Sequence, residues 1–155
     1  MFHIVLVEPE IPQNTGNIAR TCAATGTALH LVKPLGFSIE DKYLKRAGLD
    51  YWPYVNVTVY ESLEGFLEQH REDRLYLATT KGGKNYADVK YEDGSYILFG
   101  KETRGLPKDL IAAHYETAVR IPMGEDVNLR SLNLSNSAAI LIYEALRQNG
   151  FPGLY

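Results

Sequence analysis

"IPMGEDVNLRSLNLSNSAAILIYEA", Ile121–Ala145, changes character midway: a polar loop runs through "LRSLNLSNS" and becomes an almost wholly apolar helix. One small polar side chain suffices to cap a helix. Here Ser131, Asn133, Ser135 and Ser137 all crowd the entrance. Ala138 through Tyr143 are uninterrupted apolar or aromatic residues, so the helix, expected over 134–149, has no clean polar face. Gly150 and Pro152 stop it in the usual order. A helix apolar nearly all round is covered on more than one side. In a chain of 155 residues, the second cover is expected from another subunit, the alternative being a deeply central helix in a monomer.

Upstream, short β-branched and apolar runs recur: "FHIVLVE", "ALHLV", "VNVTVY", "RLYLATT", "YILFG" and "AVRIP". Most are continuous rather than alternating, which suits strands covered on both faces. Between them the pattern predicts helices over Asn14–Ala24, Ser38–Ala47 (capped by Ser38, with acids in its first turn), Ser62–His70 and Pro107–Ala113, with Pro107 at the first helical position. Strands alternating with helices imply an α/β fold with a mainly parallel sheet flanked by helices. No linker, repeat or low-complexity tract interrupts the chain, so residues 1–155 read as one domain.

A 45 % apolar and 23 % charged composition is that of an ordinary globular protein. Cys22 is the single cysteine, which excludes internal disulfides and cysteine-rich zinc sites. His3, His30, His70 and His114 are isolated in sequence, none at metal-ligand spacing with another, so no metal is expected and each reads as structural or solvent-facing. The apolar start "MFHIVLV" ends at Glu8, too short for a secretory signal, and no later run approaches a membrane span. The cytoplasm is the expected compartment. A formal net charge of −3 argues against non-specific coating of nucleic acid but not against a local basic patch. Lys42, Lys45 and Arg46 cluster, as do Lys81 and Lys84, and Lys101, Arg104 and Lys108; taken singly, each cluster reads as a solvated face.

Neither usual phosphate-cradling glycine motif occurs, nor a nucleophile elbow. What remains are three polar loops after apolar strands: Glu8–Arg20, Leu98–Pro107 and the opening stretch. Glycines at 16, 100, 105 and 124 punctuate them. They are either plain turns or places where backbone approaches a ligand closely. In open parallel sheets, ligands bind beyond the carboxyl ends of the strands.

"NTGNIAR", "LFGKETRGLP" and "IPM…SLNLSNSAAILIYEA" together resemble the three ordered motifs of SPOUT-class RNA 2′-O-ribose methyltransferases. With "RAGLDYW" and "YEALRQNGFPG", the likeness extends over essentially the whole chain and is greatest to the small TrmL (YibK-like) group. The resemblance implies a SPOUT α/β-knot with a deep C-terminal trefoil knot, against the general rarity of threaded chains. It implies S-adenosylmethionine as cofactor and a homodimer built on the first and last helices. It also implies methylation of the ribose 2′-OH of the wobble nucleotide, a cytidine or modified uridine, in leucine tRNAs. The motif positions carry over as Arg20 and Asn14 from the first, Gly100 and Glu102 from the second, and Ser131 and Asn133 from the third. Ala78, Thr79, Gly100, Ile121, Met123, Ser131 and Leu132 would hold the cofactor. Tyr143 matches a tRNA-binding tyrosine and could equally be a core aromatic. Methylation of ribosomal RNA or another tRNA position, and a catalytically silent RNA-binding protein on the same fold, are the competing functions.

Methyl transfer needs an in-line nucleophile and no metal, and fixed positioning alone can be worth ~7–11 kcal/mol. A guanidinium scarcely deprotonates. Arg20 is therefore expected to act electrostatically, on a developing alkoxide or a neighbouring phosphate, with phosphate or solvent taking the proton. For an acidic chain, the RNA substrate is expected to be one compact element held by local cations and by contacts to unstacked bases; the wobble position that the resemblance implies makes that element the anticodon stem-loop. Lys45 and Arg46, with Tyr51, Trp52 and Tyr54 following, are the candidates; for Trp52 ordinary core packing is the competing reading.

Overall fold

The apolar runs form β1 (His3–Val7), β2 (Ala28–Val32), β3 (Val57–Tyr60), β4 (Leu75–Ala78), β6 (Tyr96–Phe99) and β7 (Ala118–Arg120), with β5 (Lys84–Asn85) between β4 and β6 in sequence. The computed structural model describes residues 1–40 and 42–155. The strands pair in the order β3-β2-β1-β6-β4-β7-β5, and every pairing is parallel. The helices are α1 (Pro12–Thr25), α2 (Lys42–Gly48), α3 (Leu63–Gln69), α4 (Lys108–Ala113) and α5 (Leu134–Gln148). The expected α/β architecture with a parallel sheet is present.

Burial explains why the strands lack a polar alternation. Ile4 and Leu6 of β1, Leu29 and Leu31 of β2, and Ile97 and Phe99 of β6 pack with Ile18 and Cys22 of α1 and Leu141, Ile142 and Ala145 of α5. Their neighbours Val5, Val7, Val32 and Leu98 face the opposite layer, with Phe66 of α3 and Leu110 and Ile111 of α4. Both faces of the sheet are dry, so successive side chains are apolar in either direction. Burial pushes the Cys22 thiol up to about 12, so it stays protonated and inert. Trp52 packs against the α1–α5 layer, as the core reading required.

Several boundaries differ from the expected ones for local reasons. α1 opens two residues early, because Pro12 supplies a first helical position that needs no N–H donor. Ser38 accepts a hydrogen bond from the Glu40 N–H at 3.1 Å, a local turn, and the helix begins only at Lys42. Asp41, one of the acids expected in that first turn, lies outside the described residues. Pro107 stands at the N-cap with extended ψ (141°), one place before the helix proper. β5 went unread because "KGGK" looks like loop; it exists because Gly82 brings the chain onto the β7 backbone, where a Cβ would lie 2.5 Å from the Val119 carbonyl carbon.

Three of the four histidines, far apart in sequence, converge at the β2–β3–α3 corner. His3 Nδ1 meets His30 Nε2 at 2.9 Å, His30 Nδ1 meets the Tyr60 hydroxyl at 2.9 Å, and that hydroxyl meets His70 Nε2 at 2.9 Å. His70 Nδ1 ends the chain on the Asp73 carboxylate at 2.8 Å. Tyr96 stacks on His3 and Phe66 closes on the ring of His30. Burial, with the neighbouring His3 and His70, pushes His30 down to about 4, and burial likewise lowers His3. The folded state therefore favours a neutral His30. That contribution is complete above the ordinary histidine value near 6.5 and is lost as pH falls from there toward about 4. His30→Gln should lower the melting temperature near neutrality yet lose less of it than the wild type over that same acid interval; parallel melting curves would remove His30 as the source.

Candidate active site

The loops that leave β4, β6 and β7, together with the segment between β1 and α1, meet at the carboxyl edge of the sheet. There they surround a cleft of about 560 Å³, within the range of small-molecule sites. Its tightest piece is the turn after β6. Gly105 N–H donates to the Lys101 carbonyl at 2.8 Å and folds the loop back on itself. A Cβ at Gly100 would lie 2.0 Å from the Gly105 carbonyl carbon, so only glycine permits this closure. Gly105 itself has φ of 69°, a left-handed conformation that glycine adopts without penalty.

The β6 loop is fastened to α1 by two carboxylates. α1 begins after Ile11, whose side chain offers no cap. Glu102 supplies the missing acceptor from across the fold: it accepts from the Glu10 N–H at 2.8 Å, the Ile11 N–H at 2.9 Å and Asn14 Nδ2 at 3.1 Å. In return Glu10 accepts from the Thr103 N–H at 3.0 Å and its hydroxyl at 2.8 Å. Those two donors, with Lys101 and Arg104 nearby, hold the Glu10 carboxyl below its ordinary value.

Ten of the sequence-predicted residues line the one cleft: Asn14, Ala78, Thr79, Gly100, Glu102, Ile121, Met123, Ser131, Leu132 and Asn133. They come from four separate chain segments. Asn14 is buried, and its Nδ2 is committed to Glu102. Asn133 caps α5: its Oδ1 accepts from the Ser135 N–H at 2.9 Å and from the Ser135 hydroxyl. Its amide nitrogen makes no hydrogen bond among the described residues.

The remaining candidates lie elsewhere. Arg20 is exposed on α1, its guanidinium over the Tyr51 ring at 5.1 Å, and it does not line the cleft. From Asn14 it is six residues on, about 9 Å along the axis and on another face. Lys45 and Arg46 are exposed on α2, with Lys45 Nζ 3.5 Å from the Glu40 carboxylate. Tyr143 is 46 % exposed on α5, so it is not a core aromatic within this chain.

Sequence reasoning missed Thr80, Arg104, Lys108, Ile111, Arg130 and Ser137 in the cleft wall. Arg104 and Lys108 were visible as a cation cluster, but nothing in sequence spacing shows that their loop turns back to line the cleft with the loops after β4 and β7. Among the described residues no group of three or more histidine, cysteine or acidic side chains could hold a metal ion, and no helix is long and apolar enough to cross a membrane.

Comparison with known proteins bears on this geometry. A family model described as the SpoU rRNA Methylase family matches residues 1–143. A protein of Methylovorus glucosotrophus named tRNA (cytidine(34)-2'-O)-methyltransferase is 54 % identical, over 99 % of both chains. One of the same name from Escherichia coli is 51 % identical over 99 % of this chain and 97 % of its own. A solved structure titled for the 2-OH methylation of C/U34 on tRNA superposes with a TM-score of 0.90 at 45 % identity, covering 97 % of each chain. An AdoMet-bound rRNA methyltransferase from Sinorhizobium meliloti superposes with a TM-score of 0.83 at 25 % identity, over 94 % of this chain and 56 % of that one. With the family model spanning most of its length and relatives above 50 % identity end to end, the chain belongs to the SpoU RNA methylase family.

Proposed function

We propose that this enzyme transfers a methyl group from S-adenosylmethionine to the ribose 2′-hydroxyl of the wobble nucleotide, a cytidine or modified uridine, in leucine tRNAs. In this reading it acts in the cytoplasm, as a homodimer, on the anticodon stem-loop. The observation that carries the reading is the convergence of Asn14, Glu102, Ser131 and Asn133 on one glycine-cradled cleft. The names of the relatives in Methylovorus and Escherichia supply the wobble position.

The cleft suits the cofactor. Ala78, Phe99, Ile121 and Leu132 offer an apolar wall for an adenine ring, and Thr79, Ser131 and Asn133 offer polar groups beside it. S-adenosylmethionine supplies an electrophilic methyl group on a sulfonium. Ala78, Thr79, Gly100, Ile121, Met123, Ser131 and Leu132 would hold it, while the free amide of Asn133 and the Ser131 hydroxyl orient the ribose. Glu102 is a positioning residue: with three N–H donors on its carboxylate, it holds Asn14 rather than carrying a proton.

Arg20 stabilises the developing alkoxide or grips the adjoining phosphate, and it does so at the cleft of a second copy. Two facts support this. Arg20 does not line its own cleft, and apolar side chains are left exposed both at the cleft (Ile11, 42 %; Leu132, 40 %) and on α5 (Tyr143). The deep trefoil knot belongs to the same reading. It is supported by β4 lying between the later strands β6 and β7. The end of α5 is also cinched to the segment before β6: Gln148 donates to the Val89 carbonyl, and Asn149 to that of Tyr91.

Incubation with radiolabelled S-adenosylmethionine and total tRNA should label the wobble ribose. Label on another tRNA position or on ribosomal RNA would move the substrate, and RNA binding without label would mean a silent fold. Arg20→Ala and Asn133→Ser, the latter keeping a capping oxygen, should each be inactive alone. Mixed after co-refolding they should recover turnover, since one site then holds both intact groups; a mixture as inactive as its components would place Arg20 in its own subunit's site. Glu102→Gln, which keeps one acceptor oxygen but sets an amide donor against at least one of the three N–H groups, should cost about 2 kcal/mol. That is roughly 4–8 °C in melting temperature, with a larger loss of turnover than of cofactor affinity.

A further inference from the structure

The charges around the cleft do not match its expected cofactor. Lys81, Lys101, Arg104, Lys108 and Arg130 line it against one carboxylate, Glu102, whose oxygens are already taken by N–H donors. A sulfonium is itself cationic, so this excess opposes it rather than holding it. The chain as a whole is acidic, at −3, which makes the local surplus a placed feature.

The surplus is densest along a seam. A second cavity of about 270 Å³ adjoins the first, walled by Val7 and Glu8 at the end of β1 and by the segment 104–108. Lys101, Arg104 and Lys108 line both cavities. Lys101 is partly neutralised by Glu8, at 3.7 Å. Arg104 and Lys108 are exposed and make no hydrogen bond or ion pair among the described residues. Glu10, whose carboxyl Arg104 helps to hold below its ordinary value, has its carboxylate hydrogen-bonded to Thr103 and forms no ion pair with Arg104. Lys108 also opens α4, where a cation opposes the helix dipole, so helix stability does not account for it.

We propose that Arg104 and Lys108 form a phosphate clamp for the RNA strand lying across this seam, Arg104 through its two-pronged guanidinium and Lys108 as a point charge. The clamp rests on the tRNA methyltransferase reading and deepens it. The backbone of the target loop is gripped beside the reaction cleft itself, by the very loop that Glu102 anchors, and not only by the α2 cations. A contact of this kind positions the strand without reading its bases.

Binding of tRNA by Arg104→Gln, Lys108→Gln and Arg104→Lys, measured across a salt series, tests the clamp, with Lys90→Gln as a remote control. Each glutamine variant should lower the slope of log affinity against log salt by about 0.7–0.9, the share of one phosphate contact, and raise the KM for tRNA more than it lowers kcat. S-adenosylmethionine affinity should be unchanged. Arg104→Lys should keep the slope but bind more weakly, having lost the fork. Glutamine variants with the slope of the wild type overturn the clamp. If cofactor affinity falls instead, the pair holds the carboxylate of S-adenosylmethionine, which overturns it as well. Both results require a wild type that methylates tRNA; an inert wild type sinks the functional reading itself.

Discussion

The carboxylate of Glu102 is the constraint on which the site is built. The first N–H groups of an α-helix need acceptors from outside it. α1 is capped by Ile11 and opens with Pro12, neither of which offers a side-chain acceptor. An acid 91 positions away in sequence takes the Ile11 N–H and fixes the helix to the β6 loop. Because α1 also packs on α5, that one contact sets three things at once: the orientation of Asn14, the shape of the glycine turn, and the relation of the cleft to the face bearing Arg20. The reciprocal bond from Thr103 to Glu10 prevents the loop from pivoting about a single anchor.

A site arranged this way separates holding from reacting. Glu102 and the capping oxygen of Asn133 are consumed by the fold, and such groups contribute by keeping others still. The Asn133 amide, the Ser131 hydroxyl and the guanidinium of Arg20 are left uncommitted or nearly so. The crowd of polar residues before α5 divides along that line: the Asn133 oxygen serves the helix, while its nitrogen is left uncommitted on a residue that lines the cleft. A lone cap would have needed only the first.

How much of this the sequence announces depends on range. The parallel α/β sheet was readable, because strands covered on both faces lose their alternation, as β1 and β6 do with successive residues in opposite layers. So was most of the cleft, through three motifs whose likeness spans the chain. Contacts that depend on long-range closure were not readable. The Glu102 clasp joins residues some 90 positions apart, β5 depends on how closely Gly82 nears Val119, and three histidines that look solitary in sequence are links of one hydrogen-bonded chain that runs through the Tyr60 hydroxyl. Helix starts failed where a local side-chain turn, as at Ser38, competes with helix entry.

The position of Arg20 follows from what its helix already holds. A helix can present only one face to its own cleft, and α1 spends that face on Asn14 and the Glu102 anchor. Moving Arg20 onto it would place a cation beside the carboxylate that must accept three N–H groups, and a guanidinium there would compete for the same oxygens. On the outer face, over Tyr51, it avoids that competition. The fold thus keeps its anchor and its strongest electrostatic group apart within one chain. In the proposed reading, bringing them to bear on the same ribose falls to a second chain, and Ile11, Leu132 and Tyr143 are apolar side chains that this chain leaves exposed.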